Sequence, residues 1–207
     1  MAIADGMAIN CSDLQAVGGT RLIAIREWIS TDVITFDNVN HDISGIQIAG
    51  PLAAPWGVYE SRIESSSLTV SATNEGKEFT TYECTVSWFI PGLTASQFKG
   101  LHDFEGGKCL MVMVIDNNDA TSGTTTPSAS FASNKVIGVS DTLNNQDNDS
   151  RTQQYVTLKS IDGGTGAAFS DEIGVTVTVG CTQYETPRNY NGTIALDADA
   201  LGLTTTI

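Results

Sequence analysis

The stretch GGTGAAFSDEIG, Gly163 to Gly174, is the densest run of residue types that could do chemistry. A phosphate-cradling loop needs glycines that let the backbone approach the anion, then a Lys and a Ser or Thr, then a helix whose N-terminus faces the phosphate. No Lys follows these glycines, and Asp171 and Glu172 would repel a phosphate. The flanks, QQYVTLKSI before and GVTVTVGC after, alternate apolar and polar residues, with Val175, Val177 and Val179 two apart. That pattern predicts a strand, a turn-rich joint and a second strand.

Other candidates fail in similar ways. NNQDNDSR spaces oxygen ligands two apart at Asn145, Asp147 and Asp149, as a calcium loop begins, but Ser150 stands where the loop needs Gly and Val156 where it needs a bidentate Glu. A solvated polar turn is the expectation there. Glu60 and Glu64 are an even number apart, which would put both on one face of one strand, a charged surface rather than a tuned acid–base pair. No G-x-S-x-G occurs, and His102 is read as a solvent-facing helical residue. Cys11, Cys84, Cys109 and Cys181 are scattered, and the last three sit in apolar strand-like runs. They read as small buried hydrophobes rather than disulfide halves or zinc ligands, since neither His41 nor His102 is near a Cys pair. No catalytic residue, cofactor or metal site is assigned, and the chain is not expected to be an enzyme.

The totals narrow the function classes. Lys and Arg number 10 against 24 Asp and Glu, a formal net charge of −14. Such a surface does not grip nucleic acid by neutralising phosphates, but it suits one that DNA must pass without sticking. MAIADGMAINCSD lacks the basic region and apolar run of a secretory signal, and the longest apolar run, CLMVMVI from Cys109 to Ile115, suits a buried strand rather than a membrane span. The expectation is a soluble chain made in a cytoplasm, with no membrane partner.

The elements that would position these residues are mostly strands. TRLIAIREWIS predicts a strand buried on most of both faces. Asp37 to Trp56, with two prolines, two glycines and a short strand candidate at Ile46 to Ala49, reads as a long loop. GVYESRIESSSLTVSAT and KEFTTYECTVSWFIPG predict one long hairpin turning at Asn74 to Gly76. In its second strand Tyr82, Cys84, Val86 and Trp88 share a greasy face, and Thr81, Glu83, Thr85 and Ser87 a wet one. One α-helix is predicted over about 94–105, capped by Thr94 and stopped by Gly106 and Gly107. KVIGVSDTL predicts a further strand, and the strands flanking GGTGAAFSDEIG close the domain. The fold class is therefore mostly β: an antiparallel β-sandwich or rolled barrel with that helix and the long hairpin. A single structural domain spans 1–207, with an N-terminal arm 1–19, the long loop 37–56, a Ser/Thr-rich loop 120–134 and an apolar C-terminal tail 190–207.

This order of elements resembles the tail tube proteins of tailed bacteriophages and related contractile injection machines. The likeness is carried by WFIPGLTASQFKGLHDFEGGKCLMVMVIDNND and LKSIDGGTGAAFSDEIGVTVTVGCTQYETP, together about a third of the chain. They look like a pattern in virion structural proteins of phages that infect Bacteroidetes-type hosts: a helix, a strand ending in Asp-Asn, then the glycine-rich finish. Ala120 to Asn134 and the tail after Tyr190 depart from it.

The resemblance implies a homo-oligomer, a hexameric ring stacking into a tube in a virion assembled in the host cytoplasm. Other tail or connector proteins would be its partners, and DNA would pass through without specific binding. Glu60, Glu64, Thr81, Glu83, Thr85 and Ser87 are the expected lumen-facing residues, giving an acidic channel. Pro51, Pro55, Trp56, Phe169, Asp171 and Glu172 are the expected subunit interface. A charge at Trp56 or Phe169 is accordingly expected to stop assembly while leaving the monomer soluble. One alternative is a head–tail connector, ring or capsid decoration protein, since a fold does not decide the place on a particle. Another class is a carbohydrate-binding β-sandwich, with Trp56, Tyr59 and Tyr184 as stacking aromatics.

Overall fold

The structure is a computed structural model, and it describes residues 19–28, 33–47, 56–60, 65–74, 80–92, 95, 101, 102, 104, 107–116, 134–141, 154–165 and 173–191. Eleven strands among them form two sheets, and neither closes into a barrel, so the architecture is a β-sandwich rather than a rolled barrel. The strands are β1 (Thr20–Glu27), β2 (Val33–Asp37), β3 (Asp42–Gln47), β4 (Gly57–Glu60), β5 (Ser66–Thr73), β6 (Thr81–Pro91), β7 (Leu110–Asp116), β8 (Lys135–Ile137), β9 (Thr157–Gly164), β10 (Gly174–Gln183) and β11 (Arg188–Tyr190).

The larger sheet runs β2-β3-β11-β8-β7-β1-β4, antiparallel except where β11 lies parallel to β3. Its centre is apolar on both sides. Leu110 to Ile115 on β7 are all buried, as are Leu22 to Ile25 on β1, so alternation is lost where neither face meets water. Leu22, Ala24, Met111, Met113 and Ile115 turn to one side and pack with Trp56, Ile43, Val136 and Tyr190. Ile23, Ile25, Val112 and Val114 turn to the other side and form the core between the sheets.

The smaller sheet runs β5-β6-β10-β9, antiparallel throughout. Cys84, Val86, Trp88, Val175, Val177, Val179 and Cys181 project from it into the shared core. The predicted helical span is described only in part: Ala95, Leu101 and His102 are helical, and His102 is exposed. Leu101 and Phe104 are buried beneath Trp88, whose ring meets Phe104 edge-on at 6.2 Å, while Tyr59 lies 5.5 Å from Phe104.

Three expectations need correction. Asp37 to Trp56 is not one loop. Residues 38–41 are a tight turn, and Asp42–Gln47 is a strand paired with β2. The Asp37 carboxylate makes the turn by accepting from the Val39 and Asn40 amides at 3.0 and 3.3 Å, and His41 takes a left-handed φ of 58° to leave it. The long first strand of the hairpin is two strands. Gly57–Glu60 pairs with β1 in the larger sheet, and Ser66–Thr73 pairs with β6 in the smaller one. Pairing of β5 with β6 reaches Thr73 opposite Thr81, and residues 75 and 76 of the predicted turn lie outside the described residues. Finally, the predicted tail begins inside a strand: Tyr190 ends β11, which lies between β3 and β8, and is buried, while 192–207 lie outside the described residues.

Candidate functional site

The outer face of the smaller sheet is a regular surface rich in hydroxyls. Because Cys84, Val86 and Trp88 point inward, Thr81, Glu83, Thr85 and Ser87 share the opposite side, as the alternation predicts. Strand register aligns them with hydroxyls from the neighbours. Ser67, Ser87, Thr178 and Ser160 form one row across all four strands, and Thr69, Thr85, Gly180 and Thr157 form the next. Ser71, Glu83 and Thr182 follow, then Thr73 and Thr81. Hydrogen bonds along the rows are long: Thr178 Oγ1 donates to Ser87 Oγ at 3.4 Å, and Thr157 Oγ1 to the Gly180 carbonyl at 3.4 Å. At that length they hold weakly and exchange with water readily.

Two glycines shape this face. A Cβ at Gly180 would sit 2.8 Å from the Cys84 carbonyl oxygen, so only glycine lets the strands approach there. Lys159 covers the gap, its Cε 3.3 Å from that position, beside Thr85 Oγ1. It reaches the outer face because the β9 register slips between Thr178 and Val179, a bulge that alternation alone does not reveal. At the far end Phe89 lies over Gly174, where a Cβ would come within 2.3 Å of the ring. Gly163 and Gly164 belong to β9 itself, paired with Val175 and Gly174, so the glycine-rich joint is shorter than its sequence reads.

The remaining predicted site residues fall elsewhere. Glu60 ends β4 in the larger sheet, opposite Leu22, and so is not on the face that carries Glu83. Glu64 lies outside the described residues, as do Pro51, Pro55, Phe169, Asp171, Glu172 and the polar turn 144–150. Trp56 is 1% exposed and belongs to the core on the far side of the larger sheet, so its ring has no surface to offer a neighbour. Tyr59 is packed against Trp88 at 5.8 Å, while Tyr184 is exposed. The platform of three stacking aromatics is therefore not assembled.

A second polar centre, not anticipated from sequence, ties three turns together. Arg188, 5% exposed, donates through Nε and Nη2 to the two oxygens of Glu185 at 3.0 and 2.8 Å, a bidentate pair. Its guanidinium also lies 5.0 Å over the Phe36 ring and donates to the Asp37 carbonyl at 3.4 Å. Glu185 further accepts from the Asp141 amide at 2.7 Å, and Asp141 accepts from Asn38 at 2.7 Å. Burial alone would raise Glu185, but the Arg188 and Asp141 bonds outweigh it and hold the carboxyl below its usual range. His41 Nε2 lies 2.8 Å from Thr186 Oγ1 at the rim. The E-T-P-R spacing that makes the ion pair was present at 185–188 and was the one available signal.

This centre is a lock between turns. Its carboxylates are engaged by amides and a guanidinium rather than aimed at a cleft. Among the described residues, no group of three or more His, Cys, Asp and Glu could hold a metal ion. Comparison with known proteins found no matching family model, no matching curated protein and no matching solved structure.

Proposed function

We propose that the protein is a virion structural protein, the tail tube subunit of a tailed phage, assembling into stacked hexameric rings with the outer face of the smaller sheet turned to the channel. The observation that carries this reading is that face, with hydroxyls in register across four strands and, among the described residues, β5 and β9 at its two edges. Charge on it is sparse, with Glu83 among hydroxyls and Lys159 and Asp162 on β9, in a chain of net charge −14. A phosphate backbone meets no cluster of cations there, so DNA passes without being held. The channel wall is then hydroxylated with Glu83 among its acids, while Glu60 belongs to the larger sheet and Glu64 lies outside the described residues.

The two edges supply the assembly. Among the described residues, β5 and β9 each pair on one side only. Soluble proteins usually guard such an edge with charge or proline, and Ser66–Thr73 has neither. Two different edges on one sheet make a head-to-tail contact, which closes into a ring when the rotation allows.

Negative-stain electron microscopy of the purified protein over a concentration series tests the reading. Rings or tubes with an open channel are expected. Single rings that never stack would favour a connector, and monomers at every concentration would overturn assembly and make a glycan-binding panel the next experiment.

A further inference from the structure

We infer that Cys84 and Cys181 form a redox site, a pair of buried thiols that closes into a cross-strand disulfide when the folded protein meets a small peroxide. Strand register sets the two residues directly opposite each other on β6 and β10. Opposed residues of antiparallel strands have Cα atoms about 4.5 or about 5.5 Å apart, and both spacings fall within the roughly 4.4–6.8 Å that a disulfide spans. Both side chains turn inward, at 0% and 4% exposure, and the thiols are hydrogen-bonded to each other. Two further acceptors surround them: the Tyr82 carbonyl lies 3.9 Å from Cys84 Sγ, and Gln183 Oε1 lies 3.7 Å from Cys181 Sγ. Cys109, half-buried, lies just before β7 of the other sheet and outside any strand register.

The shared hydrogen bond separates the two deprotonations. It lowers Cys84 because the remaining S–H donates to the thiolate, against burial and the Glu83 charge. The same bond, with burial, raises Cys181. One sulfur is thereby prepared as the nucleophile and the other kept as the resolving thiol.

Burial restricts the oxidant to something near the size of water, which hydrogen peroxide satisfies. The Cys84 sulfur attacks one peroxide oxygen, the O–O bond breaks, and one water leaves, giving a sulfenic acid. The Cys181 sulfur then attacks the Cys84 sulfur, the S–O bond breaks, and a second water leaves with the S–S bond formed. The two thiol protons end in the two waters, two sulfurs are oxidised and both peroxide oxygens are reduced. A bond between positions 84 and 181 closes a long loop of the unfolded chain, so oxidation raises stability. A reducing cytoplasm leaves the pair open, and an oxidising exterior closes it. None of this requires a ring or a virion; it needs only the folded protomer.

The test is peroxide treatment of the folded, full-length chain, followed by alkylation under denaturing conditions and peptide mapping, with and without dithiothreitol. A Cys84–Cys181 linked peptide is expected, with loss of two hydrogen masses. A thermal midpoint higher by roughly 10 °C, reversed by the reductant, should accompany it. The chain with C11S and C109S should behave the same way, and C84S should abolish the linkage. Full alkylation of Cys84 and Cys181 after treatment would overturn the inference, as would their separate oxidation to sulfinic acids without a linked peptide. Both readouts are made on the unaltered chain, so a variant that fails to fold does not decide the outcome.

Discussion

The two sheets solve burial differently. β7 in the larger sheet buries every residue from Leu110 to Ile115, so both its faces are interior. β10 in the smaller sheet buries Val175, Val177 and Val179 and leaves Thr176 and Thr178 half-exposed between them. The centre of one sheet is enclosed within the protomer, and the other has a side left for water or for something outside it. A surface that is regular, hydroxylated and unneeded for the protomer's own core is a surface free to serve assembly.

The sharpest way to break that comparison is to place a charge at neighbouring positions of each strand. Val112→Asp and Met113→Asp point to opposite sides of β7, and each should cost more than about 4 kcal/mol, because either side buries the carboxylate without a partner. On β10 the pair should split: Val177→Asp should be as damaging, and Thr178→Asp should stay within about 0.5 kcal/mol of wild type. Urea unfolding of the four variants checks it. Equal damage at Thr178 would mean that the outer face is also packed within the protomer.

Trp56→Ala comes next, at about 3–5 kcal/mol. The ring belongs to the enclosed side of the larger sheet, so the loss should appear as a lower unfolding midpoint in dilute protein, before any assembly. A variant of unchanged stability that fails only to assemble would restore Trp56 to an interface.

How much of this could be read from the residues depends on which side of a strand meets water. β6 was legible because its greasy and wet faces alternate, and so were the outward Thr81, Glu83, Thr85 and Ser87. The transfer between sheets after Glu60 was not, since GVYESRIESSSLTV keeps alternating while its pairing partner changes from β1 to β6. β3 was seen only at its end, as the candidate at Ile46 to Ala49, because DISGIQ has a glycine inside it, where Gly45 sits at a register slip against Thr35. β11 has three residues, too few for a period. Lys159 reaches the hydroxyl face only through a bulge, and Trp56, between Pro55 and Gly57, looked like a loop aromatic until β4 was paired with β1.

The Arg188–Glu185 pair belongs to neither sheet face and sharpens the comparison by showing what holds the strand ends. Glu185→Gln should cost about 3 kcal/mol at neutral pH, because it leaves a buried guanidinium with only the more distant Asp141 carboxylate, 3.9 Å away, as counter-charge. The carboxyl has a folded-state pKa below its ordinary value of 4.5, so its contribution is full above that value and is lost as pH falls through the lower folded one. Stability measured from pH 6 downward should therefore fall less steeply in Glu185→Gln than in wild type. Parallel curves would mean that the pair contributes nothing to acid lability.

The smallest effect is the most informative about function. Ser87→Val with Thr178→Val replaces the hydroxyl pair at the centre of the outer face, where the bond between them is 3.4 Å long and both residues are half-exposed. Removing both partners of so weak a bond leaves no stranded donor, so protomer stability should change by no more than about 0.5 kcal/mol. Assembly through the strand edges should persist, because the edges use backbone groups that valine also carries. What should change is the chemistry of the face, which becomes apolar at its middle. In assembled rings this should appear as binding of an apolar dye that the wild type excludes. A loss above about 2 kcal/mol would instead make the hydroxyl rows part of the protomer's own packing, and the asymmetry between the two sheets would disappear with it.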